Sequence, residues 1–183
     1  MRRVLLAALL LAAACGTDAA QERTLACPGD EAEVVEALGS GLPTYDYEPA
    51  TDLEALVERV DVVIRASLTS AVRESGSTVM SLNDVDVLVG TPGQPVDAVT
   101  TTSQWVVRGE TDPLGALVTI DGLSVLAFLT EHPRSATGFV ADVQGIHVTC
   151  DANLGRLRPV IEPLPTEAQG APLRTLVATL EAG

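Results

Sequence analysis

The chain has 183 residues, 46% of them hydrophobic and only 3% aromatic, with 25 acidic residues against 11 basic ones and a net charge of -14. That length accommodates one globular domain. All 11 basic residues are arginine, which excludes Schiff-base chemistry and a P-loop lysine. So acidic a surface repels phosphate, and no nucleic-acid partner is expected.

Met1, Arg2 and Arg3 precede an unbroken apolar run over residues 4–14, followed by Cys15, Gly16, Thr17 and Asp18. A basic start, a short apolar stretch and small residues at its end make a secretory signal. The run falls short of the ~20 apolar residues a membrane-spanning helix needs, so it is expected to be cut rather than retained.

Ala12, Ala13, Ala14 and Cys15 resemble the lipobox of bacterial lipoproteins. The resemblance implies that the Cys15 thiol carries a diacylglyceryl group and that Cys15 becomes the first residue of the mature chain. Ala12 stands where that class usually has a large aliphatic residue, so cleavage by the ordinary signal peptidase after Ala14 is the alternative, giving a simply secreted protein. Either cut removes two arginines and leaves nine against 25 acidic residues, a mature charge of -16.

With Cys15 lipidated, Cys27 and Cys150 remain as an even pair in an oxidising compartment, and a disulfide between them is expected. Closing a loop of that length contributes about 4 to 5 kcal/mol in the chain-entropy model.

Residues 15–26 lack periodicity and read as a flexible tether. Asp30 with Glu33 forms a capping box ahead of Val34, Val35 and Leu38, a short helix stopped by Gly39. Residues 39–50 read as a loop. Thr51 opens a second helix with Glu54 three places on, and Leu53, Leu56, Val57 and Val60 fall on one face. Residues 62–72 switch to strand character, ending at Glu74, Ser75 and Gly76. Further strands are expected over 79–89, 96–107, 117–120, 123–129, 137–143 and 146–150, with Asp121–Gly122 and Gln144–Gly145 read as turns. Pro159, Pro163 and Pro165 lead to a last helix from about 172 to 180, with Leu173, Leu176, Val177 and Leu180 on one side.

The cadence of short strands predicts a mainly β protein: a small antiparallel OB-like β-barrel with flanking short helices. The expected organisation is a lipoprotein signal peptide (1–14), the tether (15–26), a β-barrel domain with N-terminal helices (27–158), and a proline-spaced segment with a C-terminal helix (159–183). The stretches 53–68, 85–90, 125–129 and 143–146 resemble a group of uncharacterised secreted proteins and lipoproteins from high-GC bacteria. Their barrel is similar to the netrin and metalloproteinase-inhibitor modules. This resemblance implies a fold and no activity. Inhibitors of that fold chelate their target's metal through a free N-terminal cysteine, a mode that lipid on Cys15 would block.

Chemistry-bearing residues are few. His132 and His147 lack metal-ligand spacing, and His147 reads as a half-buried strand histidine, so neither a metal nor a cofactor is expected. Asp84 and Asp86 lie two apart on a strand, which suits the outer face of a strand whose inner side is Val85, Val87 and Val89. Neither Asp112 nor Asp121 begins a calcium-loop pattern. Ser124 lacks the second glycine of a nucleophile elbow. Trp105 reads as a core or barrel-end aromatic rather than a sugar platform. Seven glutamates between Glu22 and Glu58 read as a solvating surface that holds the body off an anionic membrane.

The resulting expectation is a non-enzymatic envelope lipoprotein, extracytoplasmic, held to a membrane through Cys15 and binding an envelope protein or small ligand. Two other readings are a secreted hydrolase using carboxylates such as Asp84, Asp86 and Asp142, and a structural component that braces the envelope.

Overall fold

The structure is a computed structural model that describes residues 23–27, 31–39, 47–74, 77–101, 118–135, 137–151 and 155–182. Cys15, Asp30, Trp105 and Asp112 lie outside them. So do residues 102–107 of the strand expected over 96–107 and residue 117 of the strand expected over 117–120.

Among the described residues, seven strands form one sheet: β1 (Arg23–Ala26), β2 (Val62–Glu74), β3 (Ser77–Gly90), β4 (Ala98–Thr101), β5 (Val118–Glu131), β6 (Phe139–Thr149) and β7 (Arg158–Pro159). Three helices among the same described residues accompany them: α1 (Glu31–Gly39), α2 (Leu53–Glu58) and α3 (Leu173–Ala182). The sheet order is β1-β5-β2-β3-β4-β6-β7, and an added β5–β6 pairing closes β2, β3, β4, β6 and β5 into a five-stranded ring. This is the OB-like barrel expected from the strand cadence.

The ring closes with a large stagger. Val79 of β3 stands opposite both Val72 of β2 and Thr100 of β4. Followed the other way, Thr100 pairs with Val140, Val140 with Thr130, and the neighbouring Leu129 with Val62. The two routes meet about ten residues apart along β2, which is how a strongly tilted small barrel closes.

Not all pairings are antiparallel. β1 lies parallel to β5, and β4 lies parallel to β6. The second arises because β5 runs between them in sequence but sits on the far side of β6 in the ring.

Two expected turns are bulges inside long strands. Residues 118–131 are one strand, with two more residues on β5 than on β2 between the Leu68–Leu123 and Ser70–Thr119 pairs. Gly122 adopts φ +76°, which lets the strand bend there without a Cβ penalty. Residues 139–149 are likewise one strand, and 142–145 loop out opposite Phe128. A Cβ on Gly145 would stand 2.6 Å from the Phe128 carbonyl oxygen, so only glycine fits the close approach.

The expected tether ends earlier than read, because residues 23–26 pair with 118–121 as β1. Four residues are too few to show alternation, and their pairing partner is distant in sequence. The second helix starts one residue later than read. Asp52 rather than Thr51 is its N-cap, with Oδ1 accepting the Ala55 N–H at 2.8 Å and Oδ2 the Thr51 hydroxyl at 3.0 Å. Those two hydrogen bonds hold the Asp52 carboxyl below its ordinary pKa.

Two cores share the sheet. Val62, Ile64, Ala66 and Leu68 of β2 and Leu123, Val125, Ala127 and Leu129 of β5 fill the barrel, joined by Leu25 of β1 and by Val34, Ala37 and Leu38 of α1. The alternate residues Val63, Leu126 and Phe128 face outward into a second core with Leu56 of α2 and Leu173, Leu176, Val177 and Leu180 of α3. Burial on both faces explains why 125–129 reads as a continuous apolar run. Among the described residues no helix is long and apolar enough to cross a membrane.

Candidate functional site

The bulge on β6 places a buried polar cluster at the seam between barrel and C-terminal segment. Gln144 is 3% exposed. Its Oε1 accepts the Ala50 N–H at 2.7 Å, its Nε2 donates to the Pro163 carbonyl at 2.9 Å, and its own N–H donates to Asp142 Oδ1 at 2.9 Å. His147 Nε2 lies 2.5 Å from the Gln144 carbonyl oxygen. A carbonyl only accepts, so Nε2 carries the proton. Burial lowers the His147 pKa to about 4, against the smaller opposing pull of the hydrogen bond to Gln144. The ring is therefore neutral at pH 7, and it is buried more deeply than its half-buried reading in the sequence.

The three carboxylates of the hydrolytic reading are each engaged locally. Asp86 Oδ2 meets Arg65 Nη2 at 2.8 Å, with both side chains nearly half exposed. Asp84 accepts the Ser67 hydroxyl at 3.5 Å and adopts φ 51°. Arg65 and Ser67 flank the inward Ala66, so Asp84 and Asp86 occupy the outer face as read. Asp142 holds the β6 bulge. The inner face of β3 differs from the expectation. Val85 packs on the barrel core, but Leu88 and Val89 pack on the second core and Val87 is 40% exposed. A bulge at Leu88, between the Val63–Val89 and Ile64–Val87 pairs, breaks the alternation.

Among the described residues, two of the surface clefts bear on binding. One of about 510 Å³ lies between α2 and α3 and is lined by Leu53, Glu54, Val57, Val89, Thr179 and Leu180. The other, of about 690 Å³, is walled by Glu31, Thr149, Cys150, Asp151, Arg156 and Arg158, with Gly155. None of Asp84, Asp86 or Asp142 lines either one. Among the described residues no three histidine, cysteine, aspartate or glutamate side chains gather where a metal ion could be held.

The second cleft borders a covalent link, since Cys27 and Cys150 are joined in a disulfide, with their Cα atoms 5.3 Å apart. β5 explains why these two meet. It pairs with β1 up to Asp121 and with β6 from Ser124 onward. Cys27 follows β1 and Cys150 follows β6, so the two strand ends face each other across Gly122, whose Cβ position is 3.4 Å from that of Cys27. The count of cysteines exposed this pairing in the sequence. The guanidinium pair beside it, Arg156 and Arg158, went unread, although their spacing of two in an extended stretch puts them on one side.

No family model matches the chain, and no curated protein or solved structure was found similar to it.

Proposed function

We propose that this chain is a non-enzymatic binding module of the cell envelope, held on the extracytoplasmic side of a membrane by lipid on Cys15. The observation that carries this reading is the Cys27–Cys150 disulfide, which uses two of the three cysteines and leaves the thiol beside the apolar N-terminal run as the odd one. Paired cysteines suit an oxidising compartment. The first strand opens at Arg23, eight residues after Cys15, a reach of at most about 29 Å. That keeps the barrel close to the bilayer surface while its acidity keeps it off anionic headgroups.

The binding role draws support from the two clefts and from the local engagement of the carboxylates, which leaves them outside both. An unidentified envelope protein or small ligand is the partner, and no nucleic acid is.

The anchor is tested by intact mass of protein purified from detergent-solubilised membranes, together with a Cys15→Ser variant expressed in the same cells. The expected result is a chain beginning at Cys15 with added acyl mass, and release of the variant into the soluble fraction. A chain beginning at Cys15 with no acyl mass would overturn the anchor. Crosslinking in intact cells then reports the partner.

A further inference from the structure

The cleft of about 510 Å³ between α2 and α3 joins an aliphatic lining to polar groups of one kind. Its size falls within the ~300 to 1,000 Å³ of small-molecule sites. Leu53 and Val57 stand one turn apart on α2, and with Val89 of β3 they stay half-buried beside the deeper Leu180 of α3. An aliphatic ligand entering here would take apolar surface on both partners out of water.

The two polar side chains of the lining, Glu54 and Thr179, are exposed and offer acceptors only. The Thr179 hydroxyl donates its hydrogen to the Thr175 carbonyl oxygen at 3.0 Å, which leaves its lone pairs for a ligand. Glu54 carries a carboxylate, and Glu58 one turn further along α2 repeats the charge. Backbone donors at the start of α2 are occupied: the Leu53 N–H donates to Glu167 Oε1 at 2.6 Å and the Ala55 N–H to Asp52 Oδ1 at 2.8 Å. This end of the cleft therefore gathers the carboxylates of Asp52, Glu54 and Glu167. Thr179 and Leu180 stand in the last turn of α3, where helix carbonyls lack intrahelical partners and a cation is favoured, yet that turn holds Glu181 and no basic residue. Among the described residues no arginine lines the cleft, and Arg59 at the end of α2 donates to the Glu48 carbonyl oxygen at 2.7 Å.

We propose that this cleft binds a small aliphatic amine in its ammonium form, with the alkyl chain against Leu53, Val57 and Val89 and the ammonium on the Glu54 carboxylate. An ammonium brings three donors and no acceptor to a rim built of acceptors, whereas a carboxylate or phosphate would meet like charge there. The proposal deepens the binding-module reading and rests on it, but it is independent of lipid on Cys15.

The test is calorimetric titration of folded full-length protein at pH 7 with octylamine, octanoate and octanol, three probes of one chain length, with the Leu and Val methyl signals followed by NMR. Octylamine is expected to bind with one equivalent and to shift the signals of Val57 and Val89, octanol to bind at least about tenfold more weakly, and octanoate not to bind. Lengthening the amine from hexyl to octyl is expected to tighten binding about fourfold per methylene. Glu54→Gln is expected to weaken octylamine about three- to tenfold, and Glu54→Arg to abolish it and admit octanoate. Glu36→Gln, the same charge change on the exposed face of α1, is expected to leave the affinity unchanged, which separates the site from the net charge of the chain. Glu54 is exposed, so its variants are expected to keep the wild-type melting temperature. The proposal is overturned if octanoate binds as tightly as octylamine, if the shifts fall away from Val57 and Val89, or if Glu54→Gln and Glu36→Gln behave alike. If no octyl probe binds, this inference falls alone, because the binding-module reading is judged separately by crosslinking in intact cells.

Discussion

The Nε2 proton of His147 is held by the carbonyl oxygen of Gln144, three residues away across the β6 bulge, at 2.5 Å. The histidine is thereby fixed neutral inside the protein, and this has a consequence for stability against pH. Its pKa is 6.5 when exposed and about 4 when folded, lowered by burial. Between those values the unfolded chain binds more protons, so the stability this site leaves intact above pH 6.5 is lost as pH falls towards 4. The shift corresponds to about 3 kcal/mol. Urea unfolding at pH 7 and pH 4.5 is expected to show a steeper loss for the wild type than for His147→Gln, which cannot titrate. Equal losses would contradict a neutral buried ring.

Gln144 binds both chain segments that cross this seam, through Ala50 and Pro163. Replacement by alanine strands the buried Ala50 N–H, which costs about 1 to 3 kcal/mol, whereas the exposed Pro163 loses a partner that water can replace. Gln144→Ala is therefore expected to lower the urea midpoint by the equivalent of about 1 to 3 kcal/mol with little change in slope. Gln144→Glu keeps the acceptor for Ala50 but loses the donor to Pro163, and is expected to fall no lower than alanine at acidic pH and well below the wild type at pH 8.

The two bulge glycines are under different constraints. Gly122 has a left-handed φ of +76° but only ordinary contact with Cys27. Alanine there is expected to cost about 1 to 2 kcal/mol, the price of the left-handed backbone. Gly145 faces backbone at 2.6 to 2.8 Å from Phe128 and Asp142. Backbone cannot swing aside, so Gly145→Ala is expected to cost more, about 3 kcal/mol or above, and to loosen the Gln144 cluster with it. Thermal unfolding of the two variants side by side checks the order.

The same glycines show how far the sequence could be read. β2 and α3 announce themselves, the first by β-branched residues and the second by Leu173, Leu176, Val177 and Leu180 at helical spacing. Asp121–Gly122 and Gln144–Gly145 carry the composition of turns. What makes them bulges is a partner strand far along the chain, which continues pairing on both sides of them, and local composition does not encode that. β1 and β7 are too short to show a period. The disulfide was legible from an odd count of three with one thiol placed beside the apolar N-terminal run. The Gln144–His147 pair was not, because a glutamine beside a glycine looks exposed until the bulge turns it inward. Asp84 and Asp86 were legible as outward-facing, but the bulges beside them reassigned Val87 and Val89.

The Asp86–Arg65 pair bears on whether the carboxylates do more than face solvent. Their side chains approach to 2.8 Å but remain 46% and 43% exposed. Water screens such a pair, and its coupling is expected to be about 0 to 1 kcal/mol. A double-mutant cycle of Arg65→Ala and Asp86→Ala is expected to return a coupling in that range at low salt that shrinks further at 1 M salt, where the screening length is about 3 Å. A carboxylate poised for acid–base work would instead sit in a water-excluded cleft, couple strongly to its neighbours and resist screening. A coupling of several kcal/mol that survives salt would therefore return Asp86 to the catalytic reading, and a small screened one places it on the solvated outer face of β3.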